Sequence, residues 1–148
     1  MRHAWRSLLA WAALVAMAPS LVFASGKTVL GEVMAGQGKR MQLIAAGIAR
    51  EDYDAVSGFA RAVNDPPRPA ARLGERVELL RLLAGDVGRF KALDAETKAQ
   101  AMVLAKAARS RDGKATIEAF RDLQLSCLAC HTEFRHRFRA DAGPRAGE

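Results

Sequence analysis

Near its carboxyl end the sequence carries two cysteines three residues apart, with a histidine directly after the second: Cys127-Leu-Ala-Cys130-His131. The C-x-x-C-H pattern is typical of covalent haem attachment, in which each thiol forms a thioether with the macrocycle and the histidine binds iron. Residues three apart lie on one face of a helix, so both sulfurs can reach one edge of a haem. The pattern predicts one haem c per chain, with His131 as an axial ligand.

These residues could serve three other purposes. A disulfide between Cys127 and Cys130 is the simplest, and a thioredoxin-like redox motif would need a βαβ context that the sequence lacks. A zinc site would have to use Cys127, Cys130, His131 and His136. On one helix Cys127 and His136 lie about 13 Å apart along the axis, which is too far to share one metal ion. Haem attachment is the preferred interpretation.

The first residues predict an export signal. Arg2 and Arg6 precede an apolar run at residues 8–17, and small residues lead up to Ala24. We expect residues 1–24 to be a signal peptide cleaved after about Ala24, which places the mature chain in the periplasm, where such haem groups are attached. An uncleaved membrane anchor is the alternative, but the apolar run is short for one. No stable membrane insertion is expected after cleavage.

Length and composition point to one helical domain. The chain has 148 residues with few aromatics and a formal charge of +7, and removal of Arg2 and Arg6 leaves 7 − 2 = +5. Alanine-rich, aromatic-poor composition favours helices over sheets. The sequence shows no nucleic-acid-binding motif, so the basic balance is interpreted as mild steering toward acidic partners.

Apolar residues at helical spacing predict four antiparallel helices within a domain at residues 25–139. The expected helices span 27–50, 53–63, 114–139, and a stretch that begins at Asp86 or Asp94 and ends near Ser110. Asp52 is expected to cap the start of the second helix. A proline-rich segment ends the second helix. A short helix near residues 77–83 is expected to cover the bundle. Residues 140–148 are expected to form a flexible tail. The fold class is therefore an all-α, antiparallel four-helix bundle. Predicted inward-facing residues include Met34, Met41, Val77, Leu80, Met102 and Ile117.

A second axial ligand is predicted by helix register. In an antiparallel bundle the end of the last helix lies beside the start of the first, where Met34 and His131 have similar depths, about 10 and 12 Å. Met41 lies about 10 Å deeper than Met34, which is too far from the same iron. Met102 stays open because the start of its helix is uncertain. The alternative is that Met34 only fills the core, as methionines at helical spacing usually do.

Two stretches resemble the cytochrome c′ / cytochrome c-556 family of four-helix-bundle cytochromes. The C-x-x-C-H-x-x-F-R ending of that family is matched at Cys127–Arg135, and its M-x-x-x-G-x-x-M pattern is matched at Met34–Met41. The run at residues 48–54 is similar to the first interhelix turn of the family. The resemblance is weakest at residues 66–90. The family often has a tryptophan near the start of the third helix, whereas this chain has Phe90.

The resemblance implies a function. Family members with methionine at the position of Met34 are six-coordinate, low-spin electron carriers, and members with a non-ligating residue leave the iron open to NO or CO. Met34 therefore implies a one-electron carrier rather than an enzyme, with a five-coordinate protein that binds NO or CO as the alternative. A peroxidase-like enzyme is disfavoured, because the one available acid–base histidine, His136, lies on the haem-bearing helix. A homodimer through the first two helices is also implied.

Five further positions lie near the expected haem or at the same end of the bundle. Gly38 lies one turn after Met34 and is a candidate haem contact that leaves room for the macrocycle. Arg135 lies one turn after His131 and is a candidate contact to the imidazole or a propionate. His136 is expected on the surface. Arg135, Arg137 and Arg139 make this end basic, which would suit an acidic redox partner.

Overall fold

The structure, a computed structural model, describes residues 28–66 and 73–140, with side chains up to Phe138. All regular secondary structure in these two ranges is helical, which confirms the all-α prediction. The helices are α1 (Val29–Ala49), α2 (Tyr53–Asn64), α3 (Leu73–Leu83), α4 (Val87–Arg109) and α5 (Gly113–Ala140). The predicted signal peptide and the tail beyond Ala140 lie outside the described residues. Within the described ranges, no helix combines the length and apolarity that crossing a membrane requires.

Local sequence sets the helix ends. The Thr28 hydroxyl accepts a hydrogen bond from the Gly31 N–H at the start of α1, and the Asp52 carboxylate accepts one from Ala55 at the start of α2, as predicted for Asp52. Such caps stabilise a helix by about 1 kcal/mol. Of the two predicted starts for the next long helix, the earlier is right, because α4 begins after Asp86 and continues through Asp94.

One end of the bundle, here called the closed end, is formed by the α1–α2 turn and the α4–α5 turn. Arg111 pairs with Asp54 across the two turns at 3.1 Å. A Cβ on Gly113 would lie 2.9 Å from the Tyr53 hydroxyl, so the first residues of α2 and α5 are in close contact. Glu51 and Arg111 both have positive φ, at 55° and 56°, which lets the chain reverse sharply in each turn. The C-termini of α1 and α4 therefore meet the N-termini of α2 and α5.

The four long helices run up and down in the order α1, α2, α4, α5. Neighbours pack closely from α1 to α2, from α2 to α4 and from α4 to α5, whereas α1 touches α5 only briefly. The buried Ser57 hydroxyl donates to the Ala105 carbonyl and fixes α2 against α4. The side between α1 and α5 is thus the least tightly packed side of the bundle.

Two separate groups of buried apolar side chains form the core. The central cluster joins α1, α2, α4 and α5, and includes Ile44, Val56, Ala60, Leu104 and Leu123. The upper cluster lies toward the opposite end from the turns and consists of Leu83, Leu93 and Phe134, with Leu79, Val87, Phe90, Cys130 and Phe138 packed against it. Helices α4 and α5 contribute to both clusters, so they connect the two.

The structure corrects part of the predicted core. The short helix α3 exists and turns Leu79 and Leu83 inward, but Val77 and Leu80 are exposed because they lie on its opposite face. Met102 is exposed because the inner face of α4 is centred on Ala101, Leu104 and Ala105. Ile117 is also exposed, since the inner face of α5 runs through Thr116, Ala119 and Leu123. Met34 lies at the edge of the inner face of α1 and is 42% exposed.

Candidate haem site

The two cysteines lie on α5 where the two core clusters meet. Cys127 packs against the central cluster and Cys130 against the upper cluster, and both side chains are half-buried. Neither is in a disulfide, and each thiol is free. The C-x-x-C spacing therefore places two thiols along one line of α5, with apolar packing on either side of them.

Burial shifts the chemistry of both thiols in the same direction. Desolvation raises the pKa of Cys127, with hydrogen bonds opposing the shift in part. Desolvation also raises the pKa of Cys130, and the nearby carboxylates of Asp94 and Glu133 add to it. A raised thiol pKa favours the neutral S–H form and lowers reactivity toward oxidants and alkylating agents.

His131 lies on a different side of α5 from the residues that contact α3 and α4. Arg137 donates to the Leu83 carbonyl at 3.0 Å and pairs with Asp86, and Glu133 pairs with Arg89. At 100° per residue His131 lies about 120° around the helix from Arg137. Its side chain is exposed. It therefore occupies the flank of α5 that is turned away from α3 and α4.

Met34 occupies the equivalent flank of α1. Gly47 faces α2, since a Cβ there would lie 2.8 Å from Cγ2 of Val56. Met34 lies about 140° around α1 from Gly47, on the side away from α2. In the order α1, α2, α4, α5, the side of α1 away from α2 and the side of α5 away from α4 border the same space. The Met34 and His131 flanks therefore both border the loosely packed side between α1 and α5.

Helix register places the two residues at similar heights. Measured from the closed end, Met34 lies about 22 Å along α1 and His131 about 27 Å along α5. Cys127 and Cys130 lie at about 21 and 25 Å on the same scale. The four residues are thus level within about one helical turn.

The same scale separates the other methionines from the site. Met41 lies only about 12 Å from the closed end, and Met102 about 10 Å along α4. Each is therefore more than two turns below His131. Met102, which the sequence left open, is also on the outer face of α4. Met34 is the methionine among the described residues whose height matches the histidine.

The two minor candidate contacts lie on these flanks. Gly38 is one turn from Met34, is exposed, and has no atom within 4 Å of where a Cβ would stand. Arg135 is one turn from His131, is exposed, and forms no salt bridge within residues 28–66 and 73–138. His136 is exposed on another side of α5, as predicted. The role of Gly38 and Arg135 as haem contacts stays a prediction.

Aromatic side chains support α5 just past the motif. Phe90 of α4 meets Phe134 edge-on with ring centroids 5.4 Å apart, and it contacts Phe138 at 6.3 Å. Phe90 stands near the position where the resembling family often has tryptophan, so an aromatic contact between α4 and α5 is kept here. Such pairs contribute about 0.5–1.5 kcal/mol beyond their burial.

Two residues of this region make structural contacts that the sequence does not predict. The sequence predicts Arg137 only as part of a basic end, yet its guanidinium pairs with Asp86 and lies 5.0 Å above the Phe134 ring, so it is also a structural link. Gln37, one turn from Met34, donates to the Val63 carbonyl at 3.0 Å and keeps its buried Oε1 without a partner. The signal for Gln37 was a polar residue within an apolar helix face.

The donors fit a covalently bound haem better than a metal ion alone. The site has two free thiols on one face of α5, an imidazole beside them, and a thioether at a similar height on α1. These donors match the ligand chemistry of c-type haem. No group of three or more histidine, cysteine or carboxylate side chains within the described ranges is arranged to hold a metal ion. The zinc alternative therefore receives no support from the geometry.

Comparison with known proteins gives one match. The family model described as Cytochrome C' matches residues 85–135, which span α4 and α5 through Arg135 and include Cys127, Cys130 and His131. No curated protein and no solved structure gives a significant match. The match does not include α1, so the assignment of Met34 rests on the structure and the sequence pattern. Over α4 and most of α5 the chain is similar to the cytochrome c′ family, which confirms the predicted resemblance and supports a c-type haem protein.

Proposed function

We propose that this protein is a periplasmic one-electron carrier whose haem c is attached through Cys127 and Cys130 and ligated by His131 and Met34. The observation that carries the proposal is the level placement of Met34 and His131 on two flanks that border one space. Bound haem would supply a single-electron redox change at its iron, and Met/His ligation raises the reduction potential.

Each of the four residues has a distinct task in this proposal. Cys127 and Cys130 hold the group covalently, with Cys127 beside the central cluster and Cys130 beside the upper cluster. His131 supplies an imidazole from the exposed flank of α5, and Met34 supplies a soft, neutral thioether from α1. Because two ligands come from helices joined at the closed end, their separation is set by the bundle and not by a mobile loop.

The surroundings favour electron transfer over chemistry on a substrate. The central and upper clusters place apolar side chains on both sides of the cysteines. If His131 and Met34 both hold the iron, no iron position would be left for a substrate, so the proposed protein is not an enzyme. Export through residues 1–24 is part of the proposal, because the haem of such motifs is attached outside the cytoplasm.

Visible spectra of the purified haem protein test the ligation. We expect a six-coordinate, low-spin spectrum in both oxidation states that does not change on addition of CO. Met34→Ala should convert it to a high-spin spectrum that shifts with CO. Met41→Ala is the matched control, because Met41 is on the same helix but about 10 Å nearer the closed end. A Met34→Ala protein that remains low-spin would remove Met34 from the proposal.

A protein that binds NO or CO is the second candidate. It is favoured by the brief contact between α1 and α5 and by the free space at Gly38, since both would ease displacement of the Met34 thioether. In that case the unmodified reduced protein would bind CO readily, and Met34→Leu would raise its CO affinity only slightly.

A further inference from the structure

Gln37 makes a hydrogen bond that the backbone after α2 cannot supply. In a continuing helix the Val63 carbonyl would accept from the N–H three or four residues later, but those residues are Pro66 and Pro67, which have no N–H. The carbonyl instead accepts from Nε2 of Gln37 on α1 at 3.0 Å. Val63 is buried in the central cluster. A side chain from another helix thus takes the place of the missing backbone donor.

This link lies close to Met34. Gln37 follows Met34 by one turn and lies about 60° from it around α1, between the Met34 flank and the face that carries Gly47 toward α2. Measured from the closed end, Gln37 lies about 18 Å along α1 and Val63 about 15 Å along α2. The bond therefore joins the two helices just below the height of Met34.

The half of α1 that carries Met34 is otherwise lightly held. The buried residues of α1, Ile44 and Gly47, both lie on the half nearer the closed end, and Ile44 is about 15 Å along the helix from Met34. At the start of α1, the Val29 N–H donates to the Glu75 carboxylate over a long 3.4 Å. Contact between α1 and α5 is brief. The position of Met34 relative to α5 consequently depends on the amide link to α2.

The Gln37 amide also has an unpaired oxygen. Its Oε1 is buried and has no hydrogen-bond partner within the part of the chain that the structure describes. A buried acceptor without a partner is unfavourable, and an apolar side chain of similar size would fill the same volume without that cost. Space filling therefore does not explain a glutamine at this position, whereas the bond from Nε2 does.

We propose that Gln37 is a positioning residue for Met34. Its amide fastens the Met34 half of α1 to the end of α2, and so keeps the thioether within reach of the iron in both oxidation states. The inference rests on the proposed function, since it takes Met34 as the axial ligand, and it adds what holds that ligand in place. Without the link, this half of α1 would move more freely, and the thioether would leave the iron more often.

The same substitution at two glutamines of α1 tests the role. Gln37→Leu removes the donor, and Gln42→Leu is the matched control because Gln42 is exposed on the same helix. The low-spin absorption of the ferric haem-loaded protein is followed as the temperature rises. We expect Gln37→Leu to raise the ratio of Met-free to Met-ligated iron at a fixed temperature by about two- to tenfold, the equilibrium effect of one hydrogen bond. Gln42→Leu should match the unmodified protein.

Comparison with unfolding separates positioning from stability. Circular dichroism on the same samples gives the temperature at which the helices unfold. We expect ligation to be lost further below that temperature in Gln37→Leu than in the unmodified protein. If both temperatures fall by the same amount, Gln37 acts on the stability of the fold alone and the positioning role is rejected. It is also rejected if neither temperature changes.

A variant of the same shape tests the donor itself. At a pH low enough to protonate the introduced carboxyl, the O–H of Gln37→Glu can donate to the Val63 carbonyl as Nε2 does. Ligation in Gln37→Glu should then match that of the unmodified protein at the same pH, while Gln37→Leu stays weakened. Equal weakening of the two variants would overturn the proposal, because hydrogen-bond donation would not be what holds Met34.

Met34→Ala distinguishes a failure of this role from a failure of the proposed function. If the unmodified protein is high-spin, or if Met34→Ala stays low-spin, Met34 is not the ligand and both proposals fail. If Met34→Ala becomes high-spin while Gln37→Leu behaves as the unmodified protein at every temperature, the positioning role fails alone.

Discussion

The two ends of the bundle are built differently. At the closed end, two turns are joined by the Asp54–Arg111 pair, Gly47 lets α1 approach Val56, and Tyr53 contacts the start of α5. The helices α1 and α5 touch only briefly, and toward the opposite end α5 is held to α3 and α4 by the upper cluster and Arg137. The closed end sets the register of the helices, and the other end holds the residues that the register brings level.

This division separates the packing that stabilises the fold from the residues of the candidate site. Close packing at one end lets the far ends of α1 and α5 present their chemistry without packing directly on each other. The order of helix contacts predicts that changes near the closed end and in the central cluster affect the whole fold, whereas changes in the upper region act locally.

The largest expected difference is between the two clusters. Leu123→Ala removes a fully buried side chain from the central cluster and should lower the free energy of unfolding by about 3–4 kcal/mol. Leu83→Ala, in the smaller upper cluster, should cost about 2 kcal/mol, because α3 can settle toward α5. Guanidinium unfolding of the haem-loaded protein measures both. Equal losses would contradict the division between the two ends.

A pair of glycines on α1 compares the ends next. Gly47→Ala would force a Cβ to 2.8 Å from buried Val56 and should destabilise by about 1–2 kcal/mol. Gly38→Ala meets nothing within 4 Å and should stabilise the haem-free protein by up to about 1 kcal/mol through helix propensity. If Gly38→Ala instead lowers the stability of the haem-loaded protein alone, the predicted role of Gly38 in making room for haem is supported. Thermal melting of the haem-free and haem-loaded proteins distinguishes these two outcomes.

A pair of arginines tests the link at the upper end. Arg137→Gln loses the Asp86 pair, the bond to the Leu83 carbonyl and the contact with Phe134, and should cost about 1–2 kcal/mol. Arg135→Gln, on the exposed flank, should change stability by less than about 0.5 kcal/mol. Urea titration at low and high salt gives both values. A large effect of Arg135→Gln would mean that this arginine contacts the bound group.

The smallest effect concerns the thiols of the haem-free protein. Burial raises the pKa of Cys127 and Cys130 above that of an unfolded thiol, so the native state binds more protons at mildly alkaline pH. Stability is therefore complete below the unfolded thiol pKa of about 8.5 and declines as the pH rises above it. Alkylation by iodoacetamide at pH 8.5 should be slower for the native chain than in urea. Equal alkylation rates would indicate that both sulfurs are as accessible to the reagent in the native chain as in the unfolded chain.

The sequence predicted the elements of the fold better than their inner faces. Helical periodicity and the Asp52 cap placed α1, α2 and α5 within a residue or two, because those signals are local. Met102 and Ile117 were placed inside because they are apolar and near the right spacing, but the small residues of α4 and α5 centre the interface about a quarter turn away. Only packing between helices determines such a rotation.

The candidate site shows the same contrast between local sequence signals and contacts between distant helices. Cys127, Cys130 and His131 form a local motif, so the sequence alone predicts them as haem residues. The prediction of Met34 depends on the register between distant helices, which the bundle topology indicates and the contacts of Tyr53 and Arg111 fix. Arg137 was missed because its partners, Asp86 and Leu83, are about fifty residues earlier in the chain.

The placement of the two cysteines has a mechanical consequence. Among the described residues, the central and upper clusters share the helices α4 and α5, and each cluster touches one sulfur. A rigid macrocycle bonded to both sulfurs would link the two clusters mechanically, so that a fluctuation of one cluster is resisted by the other. Attachment through a single cysteine would hold the macrocycle in the site but leave it free to rotate about that one bond.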